Sequence, residues 1–187
     1  TVAAKKCLGK LTPLQRAAVQ THRVDMGKVY GPVCNDLLPG SRMIVDRFHV
    51  AKQFNDVVDD LRKKITRKYK AILSKAERKR FRSLMWEFRR DPKDLKPEEQ
   101  KALEGLFAKL PVLKDLYDVR VRFKEIFDTA PDRATAEEQL AELLARSESV
   151  GLDFSKFWTT YENWKTGILN YFDGRYTSAA VEGINNK

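Results

Sequence analysis

The sequence predicts an α/β layer interrupted by a large all-α insertion, with helix predominating overall. Two observations carry that expectation. Short β-favouring runs at residues 21–25 and 42–46 each end in an aspartate, and each follows a helical stretch. From about Phe48 the apolar period becomes helical and stays so to about residue 172, with no strand signal in between. Helix, strand and acid, repeated, is the pattern of an α/β layer, in which ligands gather at the carboxyl ends of parallel strands. Asp25 and Asp46 are expected at those ends.

In chain order, Leu11-Thr12-Pro13 marks a helix start, with Thr12 as N-cap and Pro13 at the first helical position, and the helix is expected to reach about Gln20. The first strand candidate follows. A short helix over about 28–38 is closed by Pro39-Gly40. The second strand candidate, Arg42 to Val45, passes almost directly into a long amphipathic helix with Val50, Phe54, Val57, Val58, Leu61 and Ile65 on one face. Ser74 with Glu77 forms a capping box ahead of an apolar stripe of Phe81, Leu84, Met85 and Phe88, which Asp91-Pro92 breaks. Pro97 opens a helix carrying Leu103, Leu106, Phe107 and Leu110, and Pro111 interrupts before a further helix over 112–127. Thr135 with Glu138 predicts a second capping box, before Leu140, Leu143 and Leu144. The last helix, about 154–172, sets Phe157, Trp158, Tyr161, Trp164 and Ile168 on one face. Such rings could stack unpaired bases, but spacing along a single face favours core packing. The resulting organisation is residues 1–50 in the α/β layer, an all-helical block over 51–173, and a return to the layer at 174–187.

Composition narrows the function classes. No apolar run approaches the roughly 18 residues of a membrane span, and no charged-then-apolar leader points to export. Cys7, Cys34, His22 and His49 are too scattered for a structural zinc site, and two cysteines that form no CxxC pair fit a reduced cytoplasmic or nucleoid setting better than a secreted one. The net charge of +10 is local: residues 62–96 hold 15 Lys/Arg against 4 Asp/Glu, whereas residues 97–187 hold 12 against 16. A field of that sign favours a polyanion, most simply nucleic acid, with strongly salt-dependent binding. Arg62, Lys63, Lys64, Arg67, Lys68 and Lys70, continued by Lys75, Arg78, Lys79, Arg80 and Arg82, are the candidate phosphate contacts, the alternative being a solvated helix face. The chain closes on Glu182-Gly183-Ile184-Asn185-Asn186-Lys187, in which Lys187 could also touch phosphate.

With these pieces placed, the chain resembles a family. Val24-Asp25-Met26 followed by Tyr30, then Ile44-Val45-Asp46-Arg47-Phe48-His49-Val50, a long helical insertion and finally Glu182-Gly183-Ile184-Asn185-Asn186-Lys187 look like the conserved blocks of insertion-sequence transposases of the ISL3 type. Those belong to the DDE transposases, so the resemblance implies an RNase H-like catalytic domain that cleaves phosphodiesters and transfers DNA strands with Mg²⁺ or Mn²⁺. It implies Asp25 and Glu182 as metal-binding acids, and it places Asp46 and His49 as an Asp-x-x-His signature beside them. A second register makes Asp46 the catalytic acid instead of Asp25. The family's first aspartate is expected before Thr1, which would leave this stretch alone inactive. Ala179 stands where the motif before the glutamate usually carries an asparagine. The implied partner is double-stranded DNA, bound as a homodimer. Rival functions on the same fold are a non-catalytic or domesticated DNA-binding protein and an RNase H-like nuclease. Without the resemblance, Asp25 and Asp46 read as helix N-caps and His49 as a packed histidine at a strand–helix junction.

Overall fold

The computed structural model describes residues 2–27 and 29–175. A first helix, α1 (Val2–Leu8), was not signalled by the sequence. Thr12 then caps α2 (Pro13–Ala17): its hydroxyl accepts the Gln15 N–H at 3.2 Å, and the Gln15 carboxamide oxygen accepts the Thr12 N–H at 2.9 Å. The helix ends short of Gln20, because the chain must extend to enter β1 (Thr21–Val24). Helix α3 (Tyr30–Leu37) follows, and then β2 (Arg42–Val45). The strands pair in parallel, with Thr21 opposite Arg42 and Val24 opposite Val45. The expected α/β unit is therefore present as a two-stranded sheet.

All other regular structure among the described residues is helical: α4 (Arg47–Lys68), α5 (Lys75–Ser83), α6 (Met85–Arg89), α7 (Pro97–Lys109), α8 (Pro111–Thr129), α9 (Arg133–Ser149) and α10 (Ser155–Leu169), with short 3₁₀ turns between some of them. Two expectations need correcting. The stripe Phe81, Leu84, Met85 and Phe88 is split between α5 and α6, which meet at Leu84; Phe81, Leu84 and Phe88 are buried without sharing one helix, and Met85 is half-buried. Thr135 and Glu138 form no capping box. Asp132 takes that role, its Oδ1 accepting the Thr135 N–H at 2.8 Å, and α9 starts three residues earlier than expected with Thr135 inside it. With the helix opened at Asp132, the amides that Thr135 would cap are no longer in the first turn and bond within the helix.

The chain divides into two compact units, one holding the residues up to Phe54, Ala130–Glu137 and the stretch from Phe157, the other holding Asn55–Thr129 and Glu138–Lys156. In the first, α10 lies directly on β2. A Cβ added at Gly167 would sit 2.9 Å from Val45 Cγ2 and 3.1 Å from Met43 Cε, so only glycine allows this approach. One added at Gly31 of α3 would sit 3.2 Å from the Trp164 ring of α10. Past the end of α10, buried Asn170 donates to the Met43 carbonyl of β2 at 2.7 Å and accepts from Arg133 Nη1 at 3.1 Å. Phe157, Trp158, Tyr161 and Ile168 are buried, which decides for core packing over base stacking, and burial pushes the Tyr161 phenol well above its usual range. The second unit is built on the buried face of α4, including Val57, Val58, Leu61 and Ile65, and on a cluster of Phe88, Phe107 and Tyr117 with centroids 5.4 to 6.4 Å apart.

Two predictions follow from the first unit's packing. Gly→Ala in a helix interior normally gains about 0.5–1 kcal/mol. Gly105→Ala in α7, where nothing lies within 4 Å, should show that gain, whereas Gly167→Ala should lower the thermal midpoint, because overpacking costs about 1–3 kcal/mol. Equal stabilisation of both would contradict the α10–β2 contact. The second concerns His22 on β1. Its Nδ1 lies 2.7 Å from Ser41 Oγ, whose hydroxyl donates to the Leu38 carbonyl at 2.8 Å, so Nδ1 must be the protonated nitrogen. Nε2 is buried without a hydrogen-bond partner, and burial pushes the pKa below 6.5. The unfolded chain therefore binds the proton first as pH falls. This contribution to stability is full above about 6.5 and is lost as pH drops through that value toward the lower folded pKa. Thermal unfolding between pH 8 and 5 should show the decline, and His22→Gln should flatten it.

Candidate functional site

Residues Val24 and Val45 face one another at the ends of the parallel pair, so the next residue on each strand, Asp25 and Asp46, emerges at the same edge of the sheet. The Asp46 N–H donates to the Val24 carbonyl at 3.0 Å and fixes that edge. Asp46 precedes the first residue of α4, its Oδ1 accepts the Phe48 N–H at 2.8 Å, and its carbonyl accepts from the His49 and Val50 amides. It therefore caps α4. Asp25 caps no helix, since α3 begins only at Tyr30 after Val29. Its Oδ1 instead accepts the Gly27 N–H at 3.0 Å, and a Cβ at Gly27 would lie 2.7 Å from that oxygen. Asp25 is exposed and held by a glycine turn instead of acting as the helix N-cap that its position also suggested.

His49 lies in the first turn of α4, half-buried, with the ring of exposed Phe48 edge-on at 5.6 Å. Among the described residues no group of three or more His, Cys, Asp or Glu side chains is placed to hold a metal ion. Glu182 and Lys187 lie outside the described residues. The donors that are described, exposed carboxylate oxygen at a strand end, suit a hard divalent cation, and a complete shell needs further oxygen ligands.

The basic candidates converge more tightly. A cleft of about 850 Å³ runs along the end of α4, the turn Lys70–Ile72 and α5. Helix α4 lines it with Arg62, Lys63, Thr66 and Arg67, and α5 with Lys75, Arg78 and Arg82. Lys70 and Met85 complete the lining, which contains no carboxylate. Arg78 is fixed by two bonds from Nη1, to the carbonyls of Lys70 at 3.0 Å and Leu73 at 2.8 Å. Arg62 is partly committed elsewhere, with Nε 3.6 Å from Asp59 Oδ1. Lys64, Lys68 and Lys79 are exposed but do not line the cleft, and Lys68 instead sits 5.6 Å over the Tyr69 ring. Thr66 and Met85 were not foreseen, since neither carries charge.

A family model described as Transposase, that of the ISL3 type, matches residues 1–187. The chain belongs to the ISL3-type transposase family. Comparison with curated proteins and with solved structures returned no match. No helix among the described residues of this transposase is long and apolar enough to cross a membrane.

The two aspartates should separate in a stability assay. Asp46→Ala removes a helix cap and should cost about 0.5–2 kcal/mol, seen as a lower thermal midpoint. Asp25→Ala removes only a turn contact on an exposed residue and should change stability by less than about 0.5 kcal/mol. The reverse order would mean that Asp25 is the structural residue.

Proposed function

We propose that this transposase chain supplies part of an RNase H-like catalytic core of the DDE type, with the helical unit as an insertion, and that it acts in metal-dependent cleavage and strand transfer of DNA. The observation that carries the proposal is the shared edge of Asp25 and Asp46 at the carboxyl ends of parallel strands, in a chain matched along its length by a transposase family. Asp25 and Glu182 would hold Mg²⁺ or Mn²⁺ together with an acid from elsewhere in the full-length protein. Such ions activate a hydroxyl nucleophile and stabilise the leaving oxygen of a phosphodiester.

The chain's own residues have narrower tasks. Asp25 presents its carboxylate from a rigid turn that Gly27 keeps open. Asp46 fixes the start of α4, and with it the position of His49, which would orient the site or touch DNA. The cationic cleft would take phosphate. Transposon ends and target, as duplex DNA held by a homodimer, are the proposed substrates.

The test is strand transfer on terminal-repeat DNA with Mn²⁺, using the full-length protein. Asp25→Ala and Glu182→Ala should each abolish cleavage and joining while DNA affinity stays within about twofold. Cleavage without joined product would identify a nuclease. Binding with no cleavage by the unaltered protein would identify a non-catalytic DNA-binding protein. Activity surviving in Asp25→Ala but lost in Asp46→Ala would move the metal-binding role to Asp46.

A further inference from the structure

The cleft beside α5 differs from a flat basic face in ways that bear on what it binds. Its cations come from two helices and the turn between them, so a ligand is met from more than one side. A volume of about 850 Å³ lies in the range that encloses a small ligand, roughly 300–1,000 Å³. That is room for about two or three nucleotides of one strand. Besides the charged heads, the lining offers the aliphatic stems of arginine and lysine, with Thr66 and the thioether of Met85. Those surfaces suit sugars and base faces, which a strand exposes when it is unpaired.

Neighbouring acids engage two of these cations, Arg62 through Asp59 at 3.6 Å and Lys63 through Asp60 at 3.5 Å, and no ion pair is made by Arg67, Lys70, Lys75, Arg78 or Arg82 among the described residues. Glu77, the acid on α5, caps that helix by accepting the Ser74 N–H at 2.8 Å and pairs with Lys109. Asp59 is engaged by Arg89 and Arg62. Arg78 is the preset member of the cleft. Both of its carbonyl bonds are made by Nη1, so the Nη2 side of the fork is oriented without being used in them. A guanidinium fixed in advance loses little further freedom on clamping a phosphate.

We propose that this cleft grips a single unpaired DNA strand through its phosphates, with Arg78 as the fixed clamp. The proposal rests on the DNA-processing function above and adds strand state to it.

The test is fluorescence anisotropy with the full chain, using labelled dT12 and a labelled twelve-base-pair hairpin over a range of salt. Arg67→Gln with Arg82→Gln is the informative pair, since both side chains are exposed and the fold should be unchanged by circular dichroism. The pair should weaken dT12 binding by about tenfold or more and reduce its salt slope by about 1.4, at about 0.7 per phosphate contact on a single strand. Hairpin affinity should move by less than about twofold. Arg78→Lys, which keeps the charge and loses the fork, should also weaken dT12 selectively. Equal losses for dT12 and hairpin would overturn the proposal in favour of a duplex surface and leave the DNA-processing function standing. Displacement of dT12 by tripolyphosphate at equal phosphate concentration would overturn it in favour of a small-anion site. If the unaltered full-length protein bound neither DNA, both would fall.

Discussion

The first unit depends on the close approach of α10 to β2. A parallel pair of two four-residue strands has no stability of its own; it needs both faces covered before its ladder is worth forming. Gly167 lets the backbone of α10 reach Val45, and Asn170 spends both ends of its amide on tying Met43 of β2 to Arg133 of α9. Arg47, at the start of α4, bonds the Tyr171 hydroxyl at 3.3 Å, and Arg42 pairs with Asp173. The strand that carries Asp46 is thus held by residues some 124 to 131 positions away.

The second unit faces a different constraint, since its sequence is heavily cationic between residues 62 and 96. Its acids are placed where cations would otherwise be costly: Asp59 meets Arg89, Glu99 meets Arg90 at 2.9 Å, and Asp91 meets Lys124 at 2.9 Å. Arg120, 7% exposed, donates to the Arg90 carbonyl at 3.1 Å, a bond site it shares with the Tyr117 hydroxyl at 3.3 Å. Burial pushes its pKa down, yet a guanidinium keeps its charge at any working pH. The cleft lining itself contains no carboxylate.

How much of this was legible depended on the range of the interaction concerned. Strand β2 and the boundaries of α7 follow from proline and apolar spacing, and the caps at Thr12 and Ser74 from contacts three residues apart, all local rules. Asp132 was missed because the competition among nearby caps is settled by how the chain enters α9, which spacing does not contain. The break at Leu84 was missed because both halves of the stripe are buried, so the periodicity persists across a bend. At the candidate site the acids on β1 and β2 were readable, as was the basic stretch. Its folding into one cleft was not, because that depends on the turn Lys70–Ile72 and on the Arg78 bonds that brace it.

The same distinction explains why two aspartates at one sheet edge are not equivalent. Like charges on neighbouring strand ends repel, and each needs a compensating field. Asp46 has one, because the N-terminus of a 22-residue helix presents free amides and a partial positive charge to its carboxylate. A cation drawn to Asp46 must compete with that helix. Among the described residues Asp25 is met by the N–H of Gly27, and the eight-residue α3 begins five positions later, behind a valine. The less compensated carboxylate among the described contacts is therefore Asp25, and it is also the one whose side chain the local structure depends on least.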